Sequence, residues 1–446
     1  MRRPPVSMSE VMERQGPVTD VAQADNRHEA DFQHRISEAE AASTEVVERQ
    51  AESRKLRDVG EVLEELNRIV TDVAADDDVA PSTVALVRET ANQTLRRTSQ
   101  RLKDIPATEN LLSHREHLML SVESIGETLK QIWEAIKKAA ERVYDALVKV
   151  VMGFIGVLES ALRLAEDMQK DLPTLNWADA TAVPSPYAKY LSINNKLSAQ
   201  WPRDVLTDLQ RASQVDQEVY DLASKVADEY VADFESAMRK NAITENWAAQ
   251  AARCEGLFKG LRLKLASVAT TPATKPEPGA KSTVVYRSGL LPGERRVQFT
   301  APEEGLSDIP FMVAFEHCLM SPGSVIRERY PQNAARPEID KLPAVEKGLL
   351  KDAVDGLVKL LKDMLSLQEA RKAESEQRRK KIAAMNMAAV KPVTDEALDA
   401  QSKNLLLILA KMASMPMALD RPVDKFLLET IPHYTQALRQ VVKAYS

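Results

Sequence analysis

Two short constellations bring together side chains capable of chemistry in this 446-residue chain. His114 and His117 stand three apart with Glu116 between them, a spacing that could place two imidazoles on one helix turn as metal ligands. Zinc sites take three or four protein ligands. No third ligand stands nearby, so the pair reads as solvated histidines in a linker. Glu316-His317-Cys318 sets an imidazole beside a thiol. A nucleophile needs a positioned base, and the base needs a third group to orient it. No Asn, Asp or second His occupies a supporting position, so this trio reads as structural. The chain also lacks a Gly-rich loop ending in Gly-Lys-Ser/Thr, and has no Gly-x-Gly-x-x-Gly, Gly-x-Ser-x-Gly or His-Glu-x-x-His. The expectation is therefore no catalytic residue, no metal site, no cofactor and no enzyme activity.

The densest basic run, Arg378-Arg379-Lys380-Lys381, is the candidate for nucleic-acid contact. Glu369, Glu374 and Glu376 stand just upstream, so a solvated helix face explains the run too. The interleaved aromatics of a single-strand binder are absent. Cys254 and Cys318 are the two cysteines. They fit neither a disulfide framework nor a zinc spacing, and read as reduced, small hydrophobes in a reducing compartment.

The elements that would position these residues are helices. Leu, Ala, Val, Lys and Glu dominate, and aromatics make up 5% of the chain, a composition that favours helix over sheet. The clearest pattern runs from Glu123 to Leu172. Apolar residues at Ile125, Leu129, Ile132, Ile136, Ala139, Val143, Leu147, Val151, Phe154, Leu158 and Leu162 recur every three or four positions, the seam of an amphipathic helix about 70 Å long if unbroken. Gly153 and Gly156 are its expected weak points. Three readings of this seam stand side by side: core or partner-helix interface, a self-associating coiled coil, and a helix lying on an anionic membrane surface through Lys130, Lys137, Lys138, Arg142 and Lys149 beside Trp133. The most apolar stretch, Val143 to Leu158, carries Asp145 and Lys149 and falls short of the roughly 20 apolar residues of a bilayer span. No secretory signal is expected at the N-terminus, where basic residues precede no apolar run. The protein is expected to be soluble.

Upstream, residues 1 to about 27 carry Pro4, Pro5, Gly16 and Pro17 and are expected to be disordered. A charged helical stretch follows from His28 to Val73, then a helix from about Thr83 to Lys103, then a connector over 106–123. Downstream, helical periodicity resumes from Pro202 to Val268, and TTPATKPEPGAK reads as an exposed linker. Thr283–Tyr286 and Arg296–Phe299 read as strands of a hairpin around the turn-forming Gly289–Gly293. Three helices close the chain, near Ala344–Ala384, Thr394–Met415 and Pro422–Tyr445.

The net charge of −6 is unevenly placed. Residues up to Glu123 hold 16 Lys and Arg against 24 Asp and Glu, and the remainder holds 44 against 42. All net acidity thus lies before the Glu123–Ser124 bond. A body freed of it would be nearly neutral and would repel a packed polyanion less.

The run from Ser121 through Lys138, SVESIGETLKQIWEAIKK, resembles the junction in internal head proteins of phiKZ-like jumbo tailed phages. In that family a charged propeptide ends at a Ser/Ala/Gly-x-Glu site cut by the prohead protease, and the mature part begins with Glu-Ser followed by a Lys- and Trp-containing amphipathic helix. The resemblance implies that Ser121 is the recognised small residue, with Val122 following it. Glu123 would be the residue whose carbonyl side is cut, and Ser124 the new N-terminus. Other small-x-Glu sequences exist, at Ser43-Thr44-Glu45, Ala107-Thr108-Glu109 and Ala139-Ala140-Glu141. Context favours Glu123: a Pro-interrupted connector before it, a helix after it and the charge step across it. The resemblance further implies a capsid-internal structural protein made in the host cytoplasm. Its partners would be other head proteins, the protease and packaged DNA, with membrane contact through residues 124–170 as the alternative.

The expected fold is mainly α, an elongated multi-helix bundle with one small β-hairpin-containing insertion. The segments are an acidic propeptide (1–123), the long helix (124–172), a helical domain (173–270), a linker (271–281), a β/loop insertion (282–340) and a C-terminal helical domain (341–446).

Overall fold

The computed structural model describes residues 16–75, 81–96, 114–175, 181–240, 277–279, 282–303, 321–327, 339–385 and 408–445, with a few isolated positions between them. The fold is mainly α. Its principal helices are α1 (Gly16–Ala75), α2 (Pro81–Leu95), α3 (His114–Asp171), α4 (Ala188–Leu191), α5 (Trp201–Lys240), α6 (Lys347–Ala383), α7 (Met415–Leu419) and α8 (Arg421–Tyr445). The chain divides into two compact units: residues 1–41 with 148–446, and residues 42–147.

The first unit has one apolar core, built where α5, α6, α7 and α8 pack together. Among the buried positions on α6 is a series of Val354, Leu357, Leu361, Met364, Gln368, Arg371, Ser375 and Arg378. They alternate three and four apart, so one stripe of the helix faces its neighbours throughout. Phe154, Val157, Leu158, Ala161 and Ala165 of α3 join this core, as do Phe32 and Ala39 of α1. Gly153 lies where α1 passes: a Cβ there would sit 2.9 Å from the Ala39 backbone. The glycines expected to weaken α3 are thus contact points in an unbroken helix, because only a residue without a side chain admits that approach.

The expected hairpin is present and belongs to a larger sheet. Strands β3 (Thr283–Arg287) and β4 (Arg295–Pro302) pair antiparallel with Val285 opposite Thr300. β2 (Glu277–Pro278) flanks β3, and β5 (Gly323–Arg327) flanks β4. Glu277 and Pro278 of the expected linker therefore serve as an edge strand. Gly293 and Glu294, both at positive φ, turn the chain into β4. Arg295, 1% exposed, fixes β4 on α8 by donating to Glu429 at 3.1 Å, to Thr430 Oγ1 at 2.8 Å and to the Pro292 carbonyl at 2.8 Å. A two-residue ladder, β1 (Val183–Pro184) with β6 (Lys341–Leu342), completes the strands described.

In the second unit α1, α2 and α3 bury Val46, Val59, Leu63, Val70, Val87, Ala91 and Leu95 together with Ile125, Ile132, Ile136 and Ala139. Gly60 lets α1 close on α3, where a Cβ would meet the Ile132 side chain at 3.3 Å. Two expectations need correction. Residues 16–27 are helical rather than disordered, because they extend α1 by its own i→i−4 ladder. The long helix begins at His114, so residues 114–123 of the expected connector are its first turns. No proline interrupts them after Pro106.

Candidate functional site

The junction residues lie on α3, two turns from its start. Ser121 is 3% exposed and Ile125 is fully buried, while Glu123 points to solvent and Val122 and Ser124 are half-buried. Thr128 Oγ1 donates to the Ser124 carbonyl at 2.8 Å, a side-chain bond that adds to the helix ladder. The Glu123 carboxylate is therefore readable on the folded surface, and the peptide bond after it is not. Cutting there requires the first turns of α3 to open, which helix ends do at far lower cost than helix centres. The rival Ala139-Ala140-Glu141 sits deep inside the same helix with Ala139 1% exposed. Ala107-Thr108-Glu109 falls outside the described residues.

The basic run divides. Arg378 is 2% exposed on its side chain and turns inward, its Nε 2.8 Å and Nη2 3.1 Å from the two Asp228 oxygens and Nη2 2.6 Å from Ser224 Oγ. Arg379 forks onto Glu376 at 3.1 Å, and Lys380 and Lys381 pair loosely with Glu376 and Glu235 at 3.8 and 3.5 Å. These three remain at least two-fifths exposed. Of the four residues, Arg378 is held as an internal brace of α6 on α5, and the other three form the accessible basic surface.

One turn and more upstream on the same stripe of α6 lies a buried charge cluster that sequence reasoning missed. Arg371, 1% exposed, donates from Nη1 to Asp216 of α5 at 2.6 Å and reaches Asp420 at 3.5 Å, with its guanidinium 4.5 Å over the Tyr220 ring. Asp216, Asp420 and Asp424 bring carboxylate oxygens within 4.8 Å of one another. Gln368 Nε2 contacts Asp424 at 3.4 Å, and Tyr220 OH donates to the Arg371 carbonyl at 3.0 Å. Burial raises all three carboxyls above the usual range, and for Asp420 and Asp424 the charge on Asp216 adds to it. The closeness of Asp216 and Asp424 raises Asp424 further and lowers Asp216, so of the two Asp424 holds a proton more readily. Three carboxylates at this spacing could hold a divalent cation. Here a guanidinium already contacts two of them and the cluster braces α5, α6 and α8, although Asp216 Oδ1, Asp420 Oδ1 and Arg371 Nε and Nη2 have no hydrogen-bond partner among the described residues. The signal that could have found it is the three-four spacing of the α6 seam, which runs on from Leu361 and Met364 through Gln368, Arg371, Ser375 and Arg378.

His114 and His117 lie in the first turn of α3, and their side chains are outside the described residues, as is Cys254. Cys318 is buried. No helix among the described residues is long and apolar enough to cross a membrane.

Long helices packed along apolar seams with buried polar braces define a mainly α, helix-packed protein. The comparison with known families gives that class its place. A family description of phiKZ-like phage internal head proteins matches residues 27–426, and the chain belongs to that family. It is an internal head protein, resident inside the phage capsid. No curated protein and no solved structure matches the chain.

Proposed function

We propose that the chain is made as a precursor and cut between Glu123 and Ser124 as the head matures, leaving residues 124–446 inside the capsid as a non-catalytic structural component beside packaged DNA. The charge step carries this reading: 16 basic against 24 acidic residues before the bond and 44 against 42 after it. Cutting there removes the net negative charge that opposes a place among close-packed phosphates. The exposed Glu123 on the opening turns of α3, in the sequence Ser-Val-Glu-Ser, supports the same bond. Arg379, Lys380 and Lys381 would meet phosphate, since exposed pairs such as Lys380–Glu376 cost little to break. The partners are the other head proteins and the maturation protease. Intact-mass and N-terminal peptide mapping of protein from mature particles tests the proposal. The expected product starts at Ser124, and a chain still starting at residue 1 or 2 would refute it.

A further inference from the structure

We propose that Lys189 of α4 and Arg327 at the end of β5 form a phosphate-binding pair for the backbone of duplex DNA, mounted on the Tyr190 ring with His433 stacked against it. The inference rests on the reading above only for DNA being the polyanion at hand. The pair itself is independent of where the chain is cut.

Tyr190 is half-buried on the short helix α4. His433 of α8 stacks on it, with ring centroids 4.2 Å apart and planes 10° from parallel. Lys189 Nζ lies 4.9 Å and the Arg327 guanidinium 5.5 Å from the centre of the same ring. The two charges therefore stand within the sum of those distances of each other, a span that takes in neighbouring phosphates of one strand. One face of the ring is taken by the imidazole, so it steadies cations rather than stacking bases.

That mounting differs from a salt bridge. A ring quadrupole holds a cation in place without neutralising it. Lys189 and Arg327 are both exposed and meet no carboxylate among the described residues. Acids of the adjoining segments are engaged elsewhere: Glu429 holds Arg295 at 3.1 Å, and Glu294 accepts from the Asn195 N–H at 2.7 Å. In the α6 run, by contrast, Arg379, Lys380 and Lys381 each already have a glutamate partner. The platform is also fixed in place. The Gly293 N–H donates to the Ser192 carbonyl just past α4 at 2.9 Å, and a Cβ on Gly293 would lie 2.7 Å from the Tyr190 carbonyl oxygen. Arg327 stands opposite Arg295 in the β4–β5 register, so the β3–β4 turn and β4 tie both cations to one frame.

His433 reports on this pair. Its Nδ1 donates to the Glu429 carbonyl at 2.6 Å, which fixes the tautomer of the neutral ring. Burial, and then the charges of Arg295, Arg327 and Lys189, push it down to about 4. A phosphate seated on Lys189 and Arg327 offsets part of that field.

The test measures binding of a fluorescent DNA duplex to the full chain by anisotropy between about 50 and about 200 mM salt. Lys189→Gln with Arg327→Gln should flatten the slope of log affinity against log salt by about 1.8, the change for two lost phosphate contacts. A control pair, Lys225→Gln with Lys359→Gln on exposed positions of α5 and α6, removes the same charge and should flatten it by less than half as much. At pH 5, saturating duplex should raise the protonated fraction of His433, followed by NMR of the histidine side chains. An unchanged slope in the Lys189/Arg327 variant, an equal effect of the control pair, or a His433 unmoved by duplex would each overturn the proposal. So would a parent chain that binds no duplex at about 50 mM salt. Cleavage after Glu123 is read separately by N-terminal mapping, so these outcomes leave that bond untouched.

Discussion

Replacing Arg371 and Asp424 separately should move stability in opposite directions. Arg371→Met keeps most of the side-chain volume and removes the guanidinium 2.6 Å from Asp216. Three buried carboxyls then lose their counter-charge, a change that costs about 3–5 kcal/mol when one partner of a buried pair is deleted. Asp424 is the reverse case. Its oxygens lie within 4.8 Å of those of Asp216 and Asp420, and two charges at that distance repel by about 3.5 kcal/mol at an effective dielectric of 20. Burial of Asp424 is the largest effect on an ionised carboxyl there; the two neighbouring carboxylates add to it, and the Arg371 guanidinium offsets part of the repulsion. Keeping a carboxyl protonated at pH 7 against its usual 3.8 costs about 4.4 kcal/mol. Burial and the two carboxylates thus hold Asp424 well above its usual range, which favours the protonated, hydrogen-bond-donating form. Asp424→Asn preserves that donor with no proton to lose, so its stability at pH 7 should equal or exceed the parent by about 1–2 kcal/mol. The pH dependence has a definite sign. A carboxyl whose folded pKa is raised contributes stability that is complete below its unfolded value and is lost as pH rises through the folded value. The parent should therefore weaken from pH 4 to 8, and Asp424→Asn should weaken less. Urea midpoints by circular dichroism at pH 5 and pH 8 decide it. An Arg371→Met loss under 1 kcal/mol, or an Asp424→Asn loss above 2, would refute the reasoning.

Two further expectations follow from single side chains. Gly153→Ala should destabilise by 1 kcal/mol or more despite alanine's better helix propensity, because its Cβ meets the Ala39 backbone at 2.9 Å. Gly126→Ala on the same helix, with nothing within 4 Å, should stabilise by up to about 1 kcal/mol; thermal melts of the two variants make the comparison. Asp208 is 2% exposed, and burial pushes its carboxyl up to about 6. Its contribution is thus lost between about pH 4 and 6, and Asp208→Asn should recover up to about 3 kcal/mol at pH 7 and nothing at pH 3.5, by urea titration at both values.

What could be read from the chain followed from periodicity. The α3 seam and the strands around Gly289–Gly293 were visible because apolar residues repeat at the spacing of the element they build. The same three-four spacing runs back from Ile125 through Val122 and Leu118, so the first turns of α3 lie in the pattern as well, ahead of the charge step at Glu123. The buried cluster was hidden. Arg371, Arg378, Asp216 and Asp424 sit in segments dense with charge, where a residue turned inward has the same identity as one turned outward. What separates them is position on the stripe, and a search for apolar residues alone ends at Met364. At Glu123 the sequence itself shows only a pattern of residues and a step in charge. That Ser121 and Ile125 lie on the buried side of a folded helix depends on tertiary packing, which local sequence does not encode.

The polar half of the α6 seam has a consequence for how the protein finds one structure. A pair of helices with uniformly apolar heptads can slip by seven residues, about 10 Å, and pack almost as well. Slipping α6 along α5 would carry Arg378 away from Asp228 and Arg371 away from Asp216, stranding buried charges against aliphatic neighbours. The ions add little net stability beside a well-packed apolar seam. They act as a ratchet tooth, admitting one alignment of two long rods that would otherwise have several.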